Sequence, residues 1–224
     1  MKALPPLQAV LIDLDGTLVD SVPDIAFAID EMMRQLSMPV RGVDAVAKWI
    51  GNGAGRLVKR ALLNSMQGEP DEALYQRALP IFKSAYAANN GRHSYLYEGV
   101  EQGLDYLRQR GYRLACVTNK PAAFTSPLLV AMGIADYFAV TISGDEVERI
   151  KPDPQPLLTA LQKLQVEPQH SLMLGDSVND VKAARAAGMP VICVSYGYNH
   201  GQDIRSHGPD AVINSLLELK TLIP

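Results

Sequence analysis

The chain has 224 residues, 47% of them hydrophobic, and a formal net charge of −3, enough apolar material for one larger domain or a domain with an insertion. It has no basic footprint for nucleic acid and no polybasic membrane patch, and no window holds the roughly 18 apolar residues of a membrane span. The expected partners are small molecules. Residues 1–8 carry too little apolar sequence before their prolines to read as a secretory leader. Cys116 and Cys193 lie inside apolar runs, as reduced core residues do, and form no zinc pattern. A cytoplasmic protein, monomeric or weakly dimeric, is expected.

Val10, Leu11 and Ile12 predict a strand buried on both faces of a parallel sheet, running out near Asp13. Side chains alternate along a strand, so Asp13 and Asp15 can point one way while Leu14 points into the core. Gly16 permits a sharp turn or close backbone approach to a ligand. An ordinary strand-to-turn exit is the competing reading of this string. Ser21-Val-Pro-Asp24 then reads as a helix start, with Ser21 as N-cap and Asp24 at N3. Ile25, Ile29, Met32, Met33 and Leu36 continue as a packing stripe.

From Met38 to about Asn90 no buried strand is expected, whereas helical patterns recur over 43–50, 56–66 and 72–88. Pro80 is placed to kink or divide the last of these. Gly51-Asn52-Gly53-Ala54-Gly55, followed by Arg56 and Lys59, reads either as a flexible connection or as a ligand contact. It lacks the Gly-Lys-Ser/Thr of a P-loop.

Beyond Glu98 strands and helices alternate. Strands are predicted at 112–117, 139–142, 172–174, 191–194 and 211–213, with helices between them. Such β-α units imply a parallel sheet with right-handed crossovers. Asp13 and Asp15, Thr118 and Asn119, Lys151, and Asp176 and Asp180 all fall at strand ends or in the loops after them, where a parallel sheet gathers them on one edge. So many carboxylates raise one another's pKa unless a cation intervenes, and oxygen ligands with open positions suit Mg²⁺. Hydroxyl, amide and ammonium beside them make a pocket for a phosphate group.

These residues carry a resemblance. Asp13-Leu-Asp-Gly-Thr17, Thr118-Asn119, Lys151-Pro152 and Gly175-Asp-Ser-Val-Asn-Asp180 match, in order, the four motifs of the haloacid dehalogenase-like superfamily. The resemblance implies an α/β protein: a Rossmann-like parallel sheet core with helices on both faces, plus an all-helical cap inserted after the first strand. Residues 1–19 and 92–224 would form the catalytic core and 20–91 the cap that selects substrate. It implies Asp13 as nucleophile, Asp15 as acid and then base, and Thr118, the Asn119 amide, Gly16 and Lys151 around the phosphoryl group. Mg²⁺ would be held by Asp13, the Asp15 carbonyl and Asp176, with Asp180 behind them.

Lys48-Trp-Ile-Gly-Asn-Gly53 and Gly197-Tyr-Asn-His-Gly201 also resemble bacterial family members that hydrolyse 2-phosphoglycolate. Arg56, with Lys48 or Lys59 as substitutes, is then the expected partner of the substrate carboxylate. Phosphatases for sugar phosphates and a β-phosphoglucomutase-like transferase share the motifs and stay open. Asp15 argues against dehalogenation. A catalytically silent phospholigand-binding protein is the alternative from another class. His93, His170, His200 and His207 show no ligand spacing; His200 reads as a surface residue near the site mouth.

Overall fold

The structure is a computed structural model describing residues 6–223, so part of the segment read as no leader lies outside the described residues. All four residues of β1 (Ala9–Ile12) are buried. Val10 and Ile12 join one apolar cluster, Ala9 and Leu11 another. A strand covered on both faces needs an unbroken apolar run. After it come β2 (Val19–Asp20), α1 (Val22–Gln35), α2 (Val43–Trp49), α3 (Gly53–Leu63) and α4 (Glu72–Asn89), and the chain returns through β3 (Tyr95–Leu96). Then follow α5 (Val100–Gln109), β4 (Arg113–Val117), α6 (Ala122–Ala131), β5 (Val140–Ile142) and α7 (Gln155–Leu164). The chain finishes with β6 (Ser171–Gly175), α8 (Val178–Ala186), β7 (Val191–Val194), β8 (Ala211–Ile213) and α9 (Leu219–Leu222).

The six predicted strands form one sheet in the order β5-β4-β1-β6-β7-β8, every pairing parallel. Leu104 and Leu107 of α5, Leu128 of α6 and Leu219 of α9 cover one face. Leu157 and Leu161 of α7 and Val181 and Ala184 of α8 cover the other. This is the expected α/β architecture, and it sets the carboxyl ends of β4, β1 and β6 side by side. Cys116 lies in the first cluster and Cys193 in the second, so the sheet itself separates the two thiols.

α1 to α4 build a third apolar cluster from Ile25, Ile29, Met32, Met33, Trp49, Leu57, Val58, Phe82 and Tyr86. Three local readings need correction, and one of the two alternatives at Pro80 is excluded. Ser21 stands at the N-cap of α1 but makes no side-chain cap bond, because its hydroxyl donates to Asp15. Asp24 does not turn back to the cap: fully buried, it accepts from Asn89 Nδ2 at 2.9 Å, the Gly91 and Ser94 amides at 2.9 and 3.0 Å and the Ser94 hydroxyl at 2.6 Å. Gly53, Ala54 and Gly55 are not loop but the first turn of α3, so only Ile50 to Asn52 separate it from α2. α4 passes through Pro80 undivided. The two-residue strands β2 and β3, an antiparallel pair, are too short to leave a period in the sequence.

Candidate active site

β1 ends where its last backbone bond, from the Asp13 amide to the Leu174 carbonyl, ties it to β6. Asp13 is buried just past that end, with Oδ1 2.9 Å from Lys151 Nζ. The ammonium is also 2.7 Å from Asp180 Oδ1 and donates to the Val117 carbonyl at 2.7 Å. Three donors on one ammonium are thus committed to three acceptors. Lys151 is 1% exposed; burial pulls its ammonium toward neutrality, but Asp13 and Asp180 outweigh that and hold it charged.

Asp180 is the N3 residue of α8 and closes a capping box with Ser177. Its Oδ2 accepts the Ser177 amide and hydroxyl at 3.1 and 2.8 Å, while Oδ1 holds Lys151. With both oxygens occupied, Asp180 fixes Lys151 and the loop after β6 in place. Asp176, in that loop, accepts from the Thr17 hydroxyl at 2.9 Å and the Tyr198 amide at 2.8 Å. A Cβ on Gly16, whose φ is +90°, or on Gly197 would overlap the Asp176 side chain. Gly16 therefore admits the Asp176 side chain at the edge of the cluster.

Carboxylate oxygens of Asp13, Asp176 and Asp180 lie within 4.8 Å of one another. Burial pushes the Asp13 carboxyl up to about 7 against the pull of Lys151, with Asp180 adding to the rise. Burial, then Asp180 and Asp13, push Asp176 well up. Ionised together, Asp13, Asp15, Asp176 and Asp180 face only Lys120 and Lys151 among the described residues of the cluster, which leaves two negative charges uncompensated. A buried, oxygen-only donor set with that imbalance fits a hard divalent cation.

Asp13, Asp15, Thr118, Asn119 and Lys151 line one cavity between the sheet edge and the helical layer. Thr118 Oγ1 accepts the Lys120 amide at 3.2 Å. The Asn119 side chain serves as a staple: Nδ2 donates to the Gly51 and Lys151 carbonyls, both at 2.8 Å, and Oδ1 accepts the Lys151 amide at 2.9 Å. Any contact with a guest therefore falls to its main-chain amide. Asn179 Nδ2 adds a second bond to the Gly51 carbonyl at 3.1 Å, and half-buried His200 bonds the Lys48 carbonyl through Nδ1 at 2.9 Å. The carbonyl only accepts, so Nδ1 carries the proton.

Arg56 does not reach this cavity. Its guanidinium pairs with Glu69 at 2.8 Å and donates to the Gly68 and Met66 carbonyls, pinning the α3 to α4 connection. Lys59 shares Glu69 at 2.6 Å, and Lys48 is likewise absent from the lining. The cation that does stand there, Lys120, was not singled out in the sequence. It is buried and holds both oxygens of Asp15, at 2.8 and 3.1 Å. Its position immediately after Thr118-Asn119 at a strand end was the available signal.

Residues 7–188 match the family model described as haloacid dehalogenase-like hydrolase. The chain is similar to a phosphoglycolate phosphatase of Nitrosococcus oceani, 55% identical over 96% of each chain, and to one of Thiobacillus denitrificans, 45% identical over 100% of this chain and 99% of the relative. The crystal structure of a predicted phosphoglycolate phosphatase from Haemophilus somnus superimposes with a TM-score of 0.93 at 33% identity, covering 99% of this chain and 100% of that one. With four motifs gathered on one sheet edge and a model match over most of its length, the chain belongs to the haloacid dehalogenase-like hydrolases.

Proposed function

We propose that the protein is a Mg²⁺-dependent phosphatase that converts 2-phosphoglycolate to glycolate and phosphate through an aspartyl-phosphate. The observation that carries this reading is the division of labour between the two leading carboxylates. Asp13 is buried against Lys151 beside the acidic cluster, while Asp15 is held separately by Lys120 and Ser21 in the same cavity.

Asp13 and Asp176 would hold the Mg²⁺, together with the Asp15 main-chain carbonyl, and Asp180 would support them through Lys151 and Ser177. Bound there, the cation supplies charge neutralisation between carboxylates and phosphoryl oxygens. The Asp13 oxygen attacks phosphorus as the ester P–O bond breaks, and Asp15 gives its proton to the departing glycolate oxygen. Asp15 then takes a proton from water, whose oxygen attacks phosphorus and frees the Asp13 carboxylate with phosphate. The Thr118 hydroxyl, the Asn119 amide and the Lys151 ammonium hold the equatorial oxygens. Phosphate monoester hydrolysis demands accelerations of up to about 10²¹-fold, so donors committed in advance by Asp180 and Asn119 matter.

Ile25, Ile50, Leu57, Phe82 and Phe124 form an apolar part of the wall, beside Tyr86, Lys120, Ser177 and Asn179. That apolar part offers no partners for the hydroxyls of a sugar, which favours a small acid over a hexose phosphate. The relatives named phosphoglycolate phosphatase support the same choice. Phosphate release from phosphoglycolate, ethyl phosphate and hexose phosphates, each with EDTA and with excess Mg²⁺, tests the reading. Phosphoglycolate should give the highest kcat/KM, lost in EDTA and restored by Mg²⁺. Full activity in chelator would remove the metal from the proposal, and a preference for hexose phosphates would remove the substrate.

A further inference from the structure

If phosphoglycolate is the substrate, a cation must meet its carboxylate, and Arg56 and Lys59 are occupied by Glu69 outside the cavity. Among the described residues lining the cavity, Lys120 and Lys151 are the cationic ones. Lys151 faces Asp13, Asp180 and the Val117 carbonyl, and in the proposed reaction it serves the phosphoryl group, which leaves it no reach for a second anionic group. Lys120 has Asp15 on one side, and on the other its Nζ lies 4.9 Å from the centre of the Tyr86 ring.

Tyr86 supplies an independent observation. It is buried and lines the cavity; its hydroxyl faces the Lys120 ammonium, which can only donate to it, and its own proton finds no acceptor among the described residues. A buried hydroxyl whose proton has no acceptor is costly, by about 1–3 kcal/mol, unless a guest supplies one. Burial pushes the phenol up to about 12 against the pull of Lys120, so it stays a neutral donor. The apolar residues around the pair exclude water and strengthen its attraction for an anion.

Resting on the proposed phosphatase reading, we propose that Lys120 and the Tyr86 hydroxyl form the subsite for the substrate's carboxylate and set the enzyme's preference for acidic phosphate esters. The same ammonium contacts Asp15, so a carboxylate seated on it brings the ester oxygen next to the group that protonates it. Carboxylate selection then joins a sheet-edge lysine to a helix of the insertion, while Gly51, Gly53 and Ala54 line the same cavity and the Gly51 carbonyl serves Asn119 and Asn179.

The experiment compares kcat/KM for 2-phosphoglycolate and for ethyl phosphate, which has the same chain length and no carboxylate. Tyr86→Phe deletes only the hydroxyl and keeps the ring. It should lower phosphoglycolate turnover about 10-fold, through KM, and leave ethyl phosphate within about 2-fold. Lys120→Met should lower the ratio of the two substrates about 100-fold, while any effect through Asp15 falls on both equally. Circular dichroism checks that each variant is folded, and Tyr86→Phe carries the test alone if Lys120→Met is not. A wild type that prefers phosphoglycolate, with the ratio unchanged in the folded variants, overturns the subsite alone. A wild type without that preference overturns the substrate reading and the subsite with it.

Discussion

Replacing Asp13 with Asn keeps the shape of the side chain and removes the attacking charge, so phosphate release should fall at least roughly 1,000-fold with the far-ultraviolet spectrum unchanged. Substantial residual turnover would assign the nucleophile elsewhere. Arg56→Ala should do the opposite. Its guanidinium is on Glu69, a partly exposed pair worth about 0–1 kcal/mol, so kcat/KM for phosphoglycolate should stay within about 2-fold. A tenfold loss would return Arg56 to the site. The contrast marks what is legible in residues. Asp13, Asp15, Asp176 and Asp180 stand out in the sequence because carboxylates at the ends of apolar runs have no packing reason to be there. Arg56 looked equally placed beside its glycines, but a long charged side chain goes to whichever partner folding brings within reach, and Glu69 is thirteen residues away. Lys120 and Tyr86 escaped notice because one reads as a loop lysine and the other as an ordinary helix aromatic; only the packing of α4 against the strand end joins them.

Elements were legible where their period was long enough. The six sheet strands and the helices between them emerge from apolar runs punctuated by Gly and Pro, whereas β2 and β3 have two residues each and no pattern to read. Asp24 illustrates a related limit. Local spacing put it at N3 of α1, yet the amides of Gly91, His93 and Ser94, brought back by α4, claim its carboxylate. An N-cap bond is worth about 1 kcal/mol, and this set of charge-assisted bonds is worth more. Asp24→Asn replaces one acceptor oxygen with a donor facing other donors. Urea denaturation should show a loss of about 2–4 kcal/mol, and a loss below about 1 kcal/mol would mean the loop rearranges without it. Gly53 and Gly55 read by composition as a connection or a ligand contact; a helix tolerates glycine in its first turn, so they open α3 instead of a loop, while Gly51, Gly53 and Ala54 line the cavity and Asn119 and Asn179 fasten the Gly51 carbonyl.

At the scale of the molecule, the acidic cluster couples stability to pH and, on the proposed reading, to a metal. Asp13, raised to about 7 in the folded protein from an ordinary value of 3.8, keeps its proton where the unfolded chain has lost it. The folded state therefore binds more protons between about pH 4 and 7, and this contribution to stability is lost as pH rises through 7. In the proposed metal site a divalent cation would take the proton's place and stabilise the folded form that binds it. The midpoint temperature in EDTA should fall from pH 5 to pH 8 relative to an Asp13→Asn control, and the increase on adding Mg²⁺ should grow over the same range; a pH-independent increase would detach the cation from these carboxylates. The pairing of Val19 with Leu96 has a different consequence. The chain leaves the sheet layer and rejoins it at adjacent positions, so everything between is an excursion whose two ends already touch. Evolution can lengthen, shorten or exchange such an excursion without altering the register of any strand in the large sheet, and a laboratory graft made at Val19 and Leu96 inherits the same freedom.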